Sequence, residues 1–330
     1  MRLAFSLAAA LLLVSFGGGV AMARQSETAA RDRAPHRTHW LDVGGARLEY
    51  LDFGGPARAP LLVLLPGFGD NAHAYDDIAP VLARDFRVVG LTPRGHGASS
   101  TPDTGYTVGT FAEDVRALLD TMGARRAFLI GHSIAGATIT RFAARHPERT
   151  SGVVYLDATM DLAGRDSVLA ANPVPRPAPT DSSVEGVRRW YRDYFYGFWT
   201  DAIANALRQG GTDENARARP RLLPGLMADA TAHPKEYRAV RAPVLAIVAA
   251  KTVDANYPWL RGMGDAAQRA AASRYLEGTL NPWYAAGAAR LRRERPDARV
   301  VTIRGHHYVH VTAQRDVARE ITSFVRAVGR

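Results

Sequence analysis

The feature that most restricts the fold is a rhythm of short, largely apolar runs: Leu61 to Leu65, Phe86 to Val89, Ala127 to Ile130, Val153 to Leu156, Val244 to Val248 and Val300 to Ile303. A run without polar alternation is what a strand buried on both faces requires. Between the early runs lie segments of helical period, Ala74 to Arg84, Val108 to Met122 and Ile134 to Arg145. Alternating buried strands and helices predict an α/β chain with a doubly wound, mostly parallel sheet. Ahead of them, Trp40 to Asp52 alternates around Val43-Gly44-Gly45 like a hairpin. With 330 residues, 47% hydrophobic and 22% charged, the chain can bury such a core. The absence of cysteine excludes a disulfide scaffold, a thiol nucleophile and an iron–sulfur cluster.

The rhythm breaks after Leu156. The next buried run begins at Val244, far beyond an ordinary loop. The insertion opens on a Pro-rich hinge at 172–179 and continues through an aromatic cluster, Trp190 to Trp199. It predicts a helical cap over 158–242, flanked by core segments 24–157 and 243–330. Its aromatic side chains either pack the cap or line a pocket beneath it.

Residues 1–23 read as an export signal: Arg2, an apolar run from Leu3 to Phe16, and Ala21-Met22-Ala23 as a cleavage site. The run is too short for a membrane span and Gly17-Gly18-Gly19 interrupts it. The mature chain is therefore expected to be exported, periplasmic or secreted, with no integral span after cleavage. Lys and Arg outnumber Asp and Glu 42 to 32, a formal charge of +10. Because the basic residues are dispersed among acids, they are read as a solvated surface with no nucleic-acid partner, capable of weak contact with an anionic envelope.

Phe128 to Gly136 is a strand entering Gly131-His132-Ser133-Ile134-Ala135-Gly136 and then a helix. This is the context of a nucleophile elbow, in which small flanking residues permit a sharp turn that lifts the serine Oγ above the sheet edge. Four other segments accompany it in order: Leu65-Pro66-Gly67-Phe68-Gly69-Asp70, Arg94-Gly95-His96-Gly97-Ala98-Ser99, His146-Pro147-Glu148-Arg149 and Gly305-His306-His307-Tyr308-Val309-His310. Along most of its mature length the chain thus resembles the α/β-hydrolase-fold serine hydrolases.

The resemblance implies Ser133 as nucleophile, with backbone N–H groups of Phe68 and Ile134 forming an oxyanion hole. Pro66 stands where the family usually has histidine. His307 is implied as the base, although His306 beside it occupies a place usually held by glycine. Chain order asks for an acid after the Val244 run, where Asp254 is the first carboxylate; it lies about two residues later than usual, and Asp157 after the Val153 run is the fallback. The serine disfavours the dehalogenases and epoxide hydrolases of this fold, which use aspartate at the elbow. The expected activity is hydrolysis of small to medium hydrophobic esters, or related thioester, lactone or amide bonds, without cofactor or metal.

Two other classes fit parts of the pattern. A non-catalytic ligand-binding or partner-binding protein of the same fold stays open on fold alone. An NADP-dependent oxidoreductase would use Gly67-x-Gly69-x-x-Ala72 as a dinucleotide loop, but no ribose-binding carboxylate follows at the needed spacing.

Overall fold

The computed structural model describes residues 36–178, 180–181, 183–196, 224–261 and 266–329. The export segment 1–23 lies outside them, as do 197–223 of the expected cap. Strands β1 (Arg37–Val43), β2 (Ala46–Gly54), β3 (Leu61–Leu65), β4 (Arg87–Leu91), β5 (Ala127–His132), β6 (Thr150–Leu156), β7 (Val244–Lys251) and β8 (Arg299–Gly305) form one sheet. Their spatial order is β1-β2-β4-β3-β5-β6-β7-β8. β1 pairs with β2 and β2 with β4 antiparallel, and every later pairing is parallel. The unbroken apolar runs account for this: every residue of β3 and β5 is buried.

Helices α1 (Val108–Thr121), α2 (Ala135–Arg145) and α3 (Asn281–Glu294) cover one face, where Val115, Leu118, Ile139, Phe142 and Leu291 pack on Val63, Leu129 and Val153. On the opposite face α4 (Gln314–Val328) sets Val317, Ile321, Phe324 and Val325 against Leu62, Ile130 and Leu245. Each face is a helical stripe on a buried sheet, the two-layer solution an α/β core adopts twice.

The helix expected over Ala74 to Arg84 is divided. Asn71 caps a 3₁₀ turn at Ala72–Tyr75, and a separate short helix, Ala79–Leu82, begins with Pro80 in its first turn. Pro80 lacks the N–H a continuous helix would donate, so the chain restarts there. Between β6 and β7 the described residues contain helices and turns but no strand. The helix at 224–232 docks on the core: Asp229 accepts a hydrogen bond from the Val108 N–H at 2.8 Å, at the start of α1, while Leu226 and Ala230 join Tyr106 and Phe111 in a buried cluster. Among the described residues no helix is long and apolar enough to cross a membrane.

Candidate functional site

Strand order reverses at β3, which is flanked by β4 on one side and β5 on the other. The loops leaving β3 and β5 meet at the carboxyl end of the sheet, where open α/β sheets carry their sites. Both loops carry residues singled out from the sequence. A Cβ on Gly67 would lie 2.9 Å from His132 Nδ1 and 3.1 Å from Ser133 Cβ, so only glycine lets the two loops approach this closely. Phe68, next along, rests edge-on against the His96 ring, centroids 5.7 Å apart. His96 belongs to a loop pinned to α1 by the buried Arg94–Asp114 pair, Nε to Oδ2 2.8 Å. Neither the Phe68 nor the Ile134 N–H is taken up by a backbone carbonyl among the described residues.

Ser133 and Asp157 are the two non-glycine residues with positive φ among the described residues, at 54° and 45°. Such a backbone is costly for residues with a Cβ and persists where surrounding structure imposes it. At Ser133 the elbow follows β5 directly, its N–H donating to Leu156 O at 3.2 Å. Gly136 in the following helix faces Ala158 so closely that a Cβ would reach its carbonyl oxygen at 2.6 Å. That contact locks the elbow helix onto the end of β6, where Asp157 sits.

Asp157 is fully buried and bridges to β7: its N–H donates to Ile247 O at 2.7 Å, and its Oδ1 accepts from the Ala249 N–H at 2.9 Å. Its Oδ2 has two partners, His307 Nδ1 at 2.7 Å and Lys251 Nζ at 2.8 Å. Burial pushes this carboxyl upward, but the Lys251 ammonium and His307 outweigh that and hold it below the ordinary aspartate value. Burial lowers Lys251 as well, with Asp157 opposing the shift.

The loop after β8 carries His307 against the elbow. His132 Nε2 lies 3.1 Å from the His307 carbonyl oxygen, and the two rings are 4.6 Å apart. Tyr284, from α3, places its hydroxyl 3.2 Å from His307 Nδ1. The neighbouring histidines serve other ends. His306 is buried, and its Nδ1 accepts from the Tyr308 N–H at 3.3 Å. His310 is buried against Tyr75 and His132, and burial brings it down to about 3. His132 and His306 are likewise pushed well below the usual histidine value, first by burial and then by His307. Of the loop's three imidazoles, His307 meets a carboxylate.

Asp254 does not reach this site, which corrects the expectation from chain order. Thr252 caps a single helical turn, Val253–Asn256, and turns Asp254 outward. Its side chain is 62% exposed and pairs with Arg269 at 2.9 Å. The Asp157 fallback is the carboxylate on His307. Chain order misleads because the carboxyl ends of β6 and β7 are neighbours in the sheet, so an acid on either can reach a histidine beyond β8.

A sequence model described as the alpha/beta hydrolase fold matches residues 60–270. The chain belongs to this family. Among its relatives, Epoxide hydrolase B of Mycobacterium tuberculosis is 34% identical over 163 residues, 47% of this chain and 45% of that protein, so less than half of that relative's length is matched. The 2-(acetamidomethylene)succinate hydrolase of Mesorhizobium japonicum is 24% identical over 290 residues, 87% of this chain and 94% of that one. A crystal structure of E-2-(acetamidomethylene)succinate hydrolase superposes with a TM-score of 0.64 at 22% identity, covering 88% of this chain and 99% of the other, a likeness of fold.

Within this alpha/beta hydrolase two site residues were not anticipated from sequence, Lys251 and Tyr284. Lys251 carried a signal: it is one of two lysines, the other being Lys235, in a chain that otherwise uses arginine, and it ends an apolar run. Tyr284 carried none, since helix α3 brings it to the site only through tertiary packing. The described cap meets the same loop. Phe195 lies 6.0 Å from both the His306 and Tyr308 rings, with the Arg176 guanidinium 4.3 Å above its face. Trp199 and the rest of the aromatic cluster beyond Tyr196 lie outside the described residues. Elsewhere His36, His73 and Asp76 gather donor atoms within 4.8 Å. His73 Nδ1 and Asp76 Oδ2 stand 2.8 Å apart, a hydrogen-bonded pair closer than the ~3.3 Å between two ligands of one tetrahedral zinc.

Proposed function

We propose that the protein is a serine hydrolase acting on small to medium hydrophobic carboxylic esters through Ser133, His307 and Asp157. The observation that carries the reading is the 2.7 Å contact between His307 Nδ1 and the buried Asp157, beside a serine held at φ 54° on a strand-to-helix turn. Asp157 accepts a hydrogen bond from the Nδ1–H of His307, which leaves Nε2 as the lone-pair nitrogen. Nε2 takes the Ser133 proton as Oγ attacks the ester carbonyl, and Asp157 stabilises the imidazolium that forms. The Phe68 and Ile134 N–H groups are the donors for the resulting oxyanion, aided by the N-terminus of α2. His307 then protonates the leaving alkoxide, and water releases the acyl group by the same steps in reverse.

The substrate class rests on the surroundings. Ile134 and Phe68 adjoin an apolar cluster of Tyr106, Met160, Leu162, Leu226 and Tyr284 beneath the cap, suited to a hydrophobic acyl chain. A relative named for hydrolysis of 2-(acetamidomethylene)succinate supports hydrolytic chemistry on this scaffold. Epoxide opening through an enzyme ester asks for a carboxylate nucleophile, and position 133 is serine.

A fluorophosphonate probe tests the nucleophile: stoichiometric labelling is expected in the wild type and none in Ser133→Ala. Absence of labelling in folded wild-type protein would favour a non-catalytic binding role. p-Nitrophenyl esters of rising chain length, set against an aminoacyl arylamide, test the substrate class, and faster turnover of the amide would overturn the ester assignment. Export is part of the same reading and rests on residues 1–23 alone. Expressed in a bacterium with an envelope, the protein should leave the cytoplasm and begin at Arg24; an intact mass for the cell-associated chain would refute it.

A further inference from the structure

Lys251 is the cation that the proposed mechanism does not use. It ends β7 with its side chain 1% exposed, beside an Asp157 side chain with none. Its Nζ is fixed three ways: to Asp157 Oδ2 at 2.8 Å, to Ala249 O at 3.1 Å, and over the Tyr284 ring 3.1 Å from the centroid. Its backbone is clamped at both ends by Asn281 of α3, whose Oδ1 accepts from the Lys251 N–H at 3.0 Å and whose Nδ2 donates to the Lys251 carbonyl at 2.9 Å. Such a rigid placement exceeds what an ion pair needs for stability alone. Its consequence is electrostatic: ammonium and imidazole contact the same carboxylate oxygen.

We propose that Lys251 is a positioning residue that neutralises Asp157 and thereby extends the activity of the Asp157–His307 pair to lower pH. The inference rests on the serine-hydrolase reading. With Lys251 charged, Asp157, Lys251 and neutral His307 sum to zero, and an added proton leaves a net positive charge in a mostly dry site. Without the ammonium the resting pair is negative and an added proton neutralises it. The pair therefore protonates at higher pH once Lys251 loses its charge, and the protonated pair cannot accept the Ser133 proton. Nζ and Nδ1 both lie within 2.8 Å of Oδ2, so they are at most about 5.5 Å apart. At an effective dielectric near 20, a unit charge at that distance moves a titration by about two pH units. Other charged or titratable groups face the same site. They are His132 from β5, Tyr284 from α3, His306 and His310 from the loop after β8, and Arg165 and Arg176 from the cap. All are unchanged by a substitution at Lys251.

The test is the pH dependence of Ser133 labelling by a fluorophosphonate in wild type, Lys251→Gln and Lys251→Met. The acidic limb is expected to move upward by about two pH units in either variant that folds. A limb that stays in place or moves down overturns the proposal. A second measurement needs no variant. Because the chain has only two lysines, selective ¹³Cε labelling gives two signals. One of them should shift with the midpoint at which the His307 ring takes up a proton, and two signals indifferent to that midpoint also overturn the proposal. If wild-type protein is not labelled by the probe at all, the serine-hydrolase reading fails, and the lysine titration still decides whether the ammonium is coupled to the Asp157–His307 pair.

Discussion

Replacing Asp157 by asparagine separates the site built around β6 from the one that chain order suggested after β7. Asparagine keeps the volume and can still accept from the Ala249 N–H, but it removes the charge from a side chain with no exposure and leaves the Lys251 ammonium, 1% exposed, without its counter-ion. Breaking a buried pair in this way costs about 3–5 kcal/mol. Against a typical 5–15 kcal/mol for a domain, most of the population stays folded at room temperature. The catalytic effect is larger. The amide presents its NH₂ to His307 Nδ1, the imidazole proton moves to Nε2, and the lone pair that should receive the Ser133 proton is lost. Loss of the correct tautomer reduces kcat by on the order of 10⁴, equivalent to ~5.5 kcal/mol. Asp254→Asn is the internal control. Its ion pair joins side chains 62% and 41% exposed, so stability should fall by no more than about 1 kcal/mol and kcat should remain within about twofold of wild type. Urea unfolding measures the first quantity and p-nitrophenyl acetate turnover the second. A folded Asp157→Asn enzyme within tenfold of wild-type kcat, or an Asp254→Asn enzyme with a comparable loss, would refute the assignment.

Gly67→Ala should disturb the elbow rather than the core: the new Cβ would stand 2.9 Å from His132 Nδ1 and 3.1 Å from Ser133 Cβ, and overpacking of this kind costs about 1–3 kcal/mol. Probe labelling should slow at least about tenfold while the sheet's circular dichroism is unchanged; wild-type labelling would show that the two loops do not need this proximity. Stability should also fall as pH drops below about 6.5, the ordinary histidine value. There the unfolded chain binds protons that buried His132, His306 and His310 do not, so the loss begins at the unfolded value and continues toward each lower folded one. With His310 brought down to about 3, its share at pH 5 is about 2 kcal/mol. Unfolding free energies from urea titrations at pH 7 and pH 5 should therefore differ by about that much less in His310→Phe than in wild type, and equal differences would contradict it.

Local sequence was sufficient for most of the sheet and for the strand-to-helix turn that holds Ser133. The apolar runs became strands, buried throughout in β3 and β5 but only in part at the edge strand β8, and the Gly131-His132-Ser133-Ile134-Ala135-Gly136 turn is specified by residues within a few positions of one another. Local signals failed where a single residue outweighed periodicity, as Pro80 did in dividing the expected helix after Asn71. They failed again where partners come from distant strands. His307 and Asp157 are 150 residues apart, Lys251 and Asp157 94, and nothing in the spacing of these residues distinguishes an acid on β6 from one beyond β7. The parallel order β6-β7-β8 made that choice. It set the ends of three strands side by side, closed the interior around Asp157, and left Asp254 on a surface turn where its carboxylate pairs with Arg269 in reach of solvent. The sequence determined which reaction centre the chain could build. Only the packing of the sheet determined which carboxylate meets His307, because burial and distance are properties of the assembled structure.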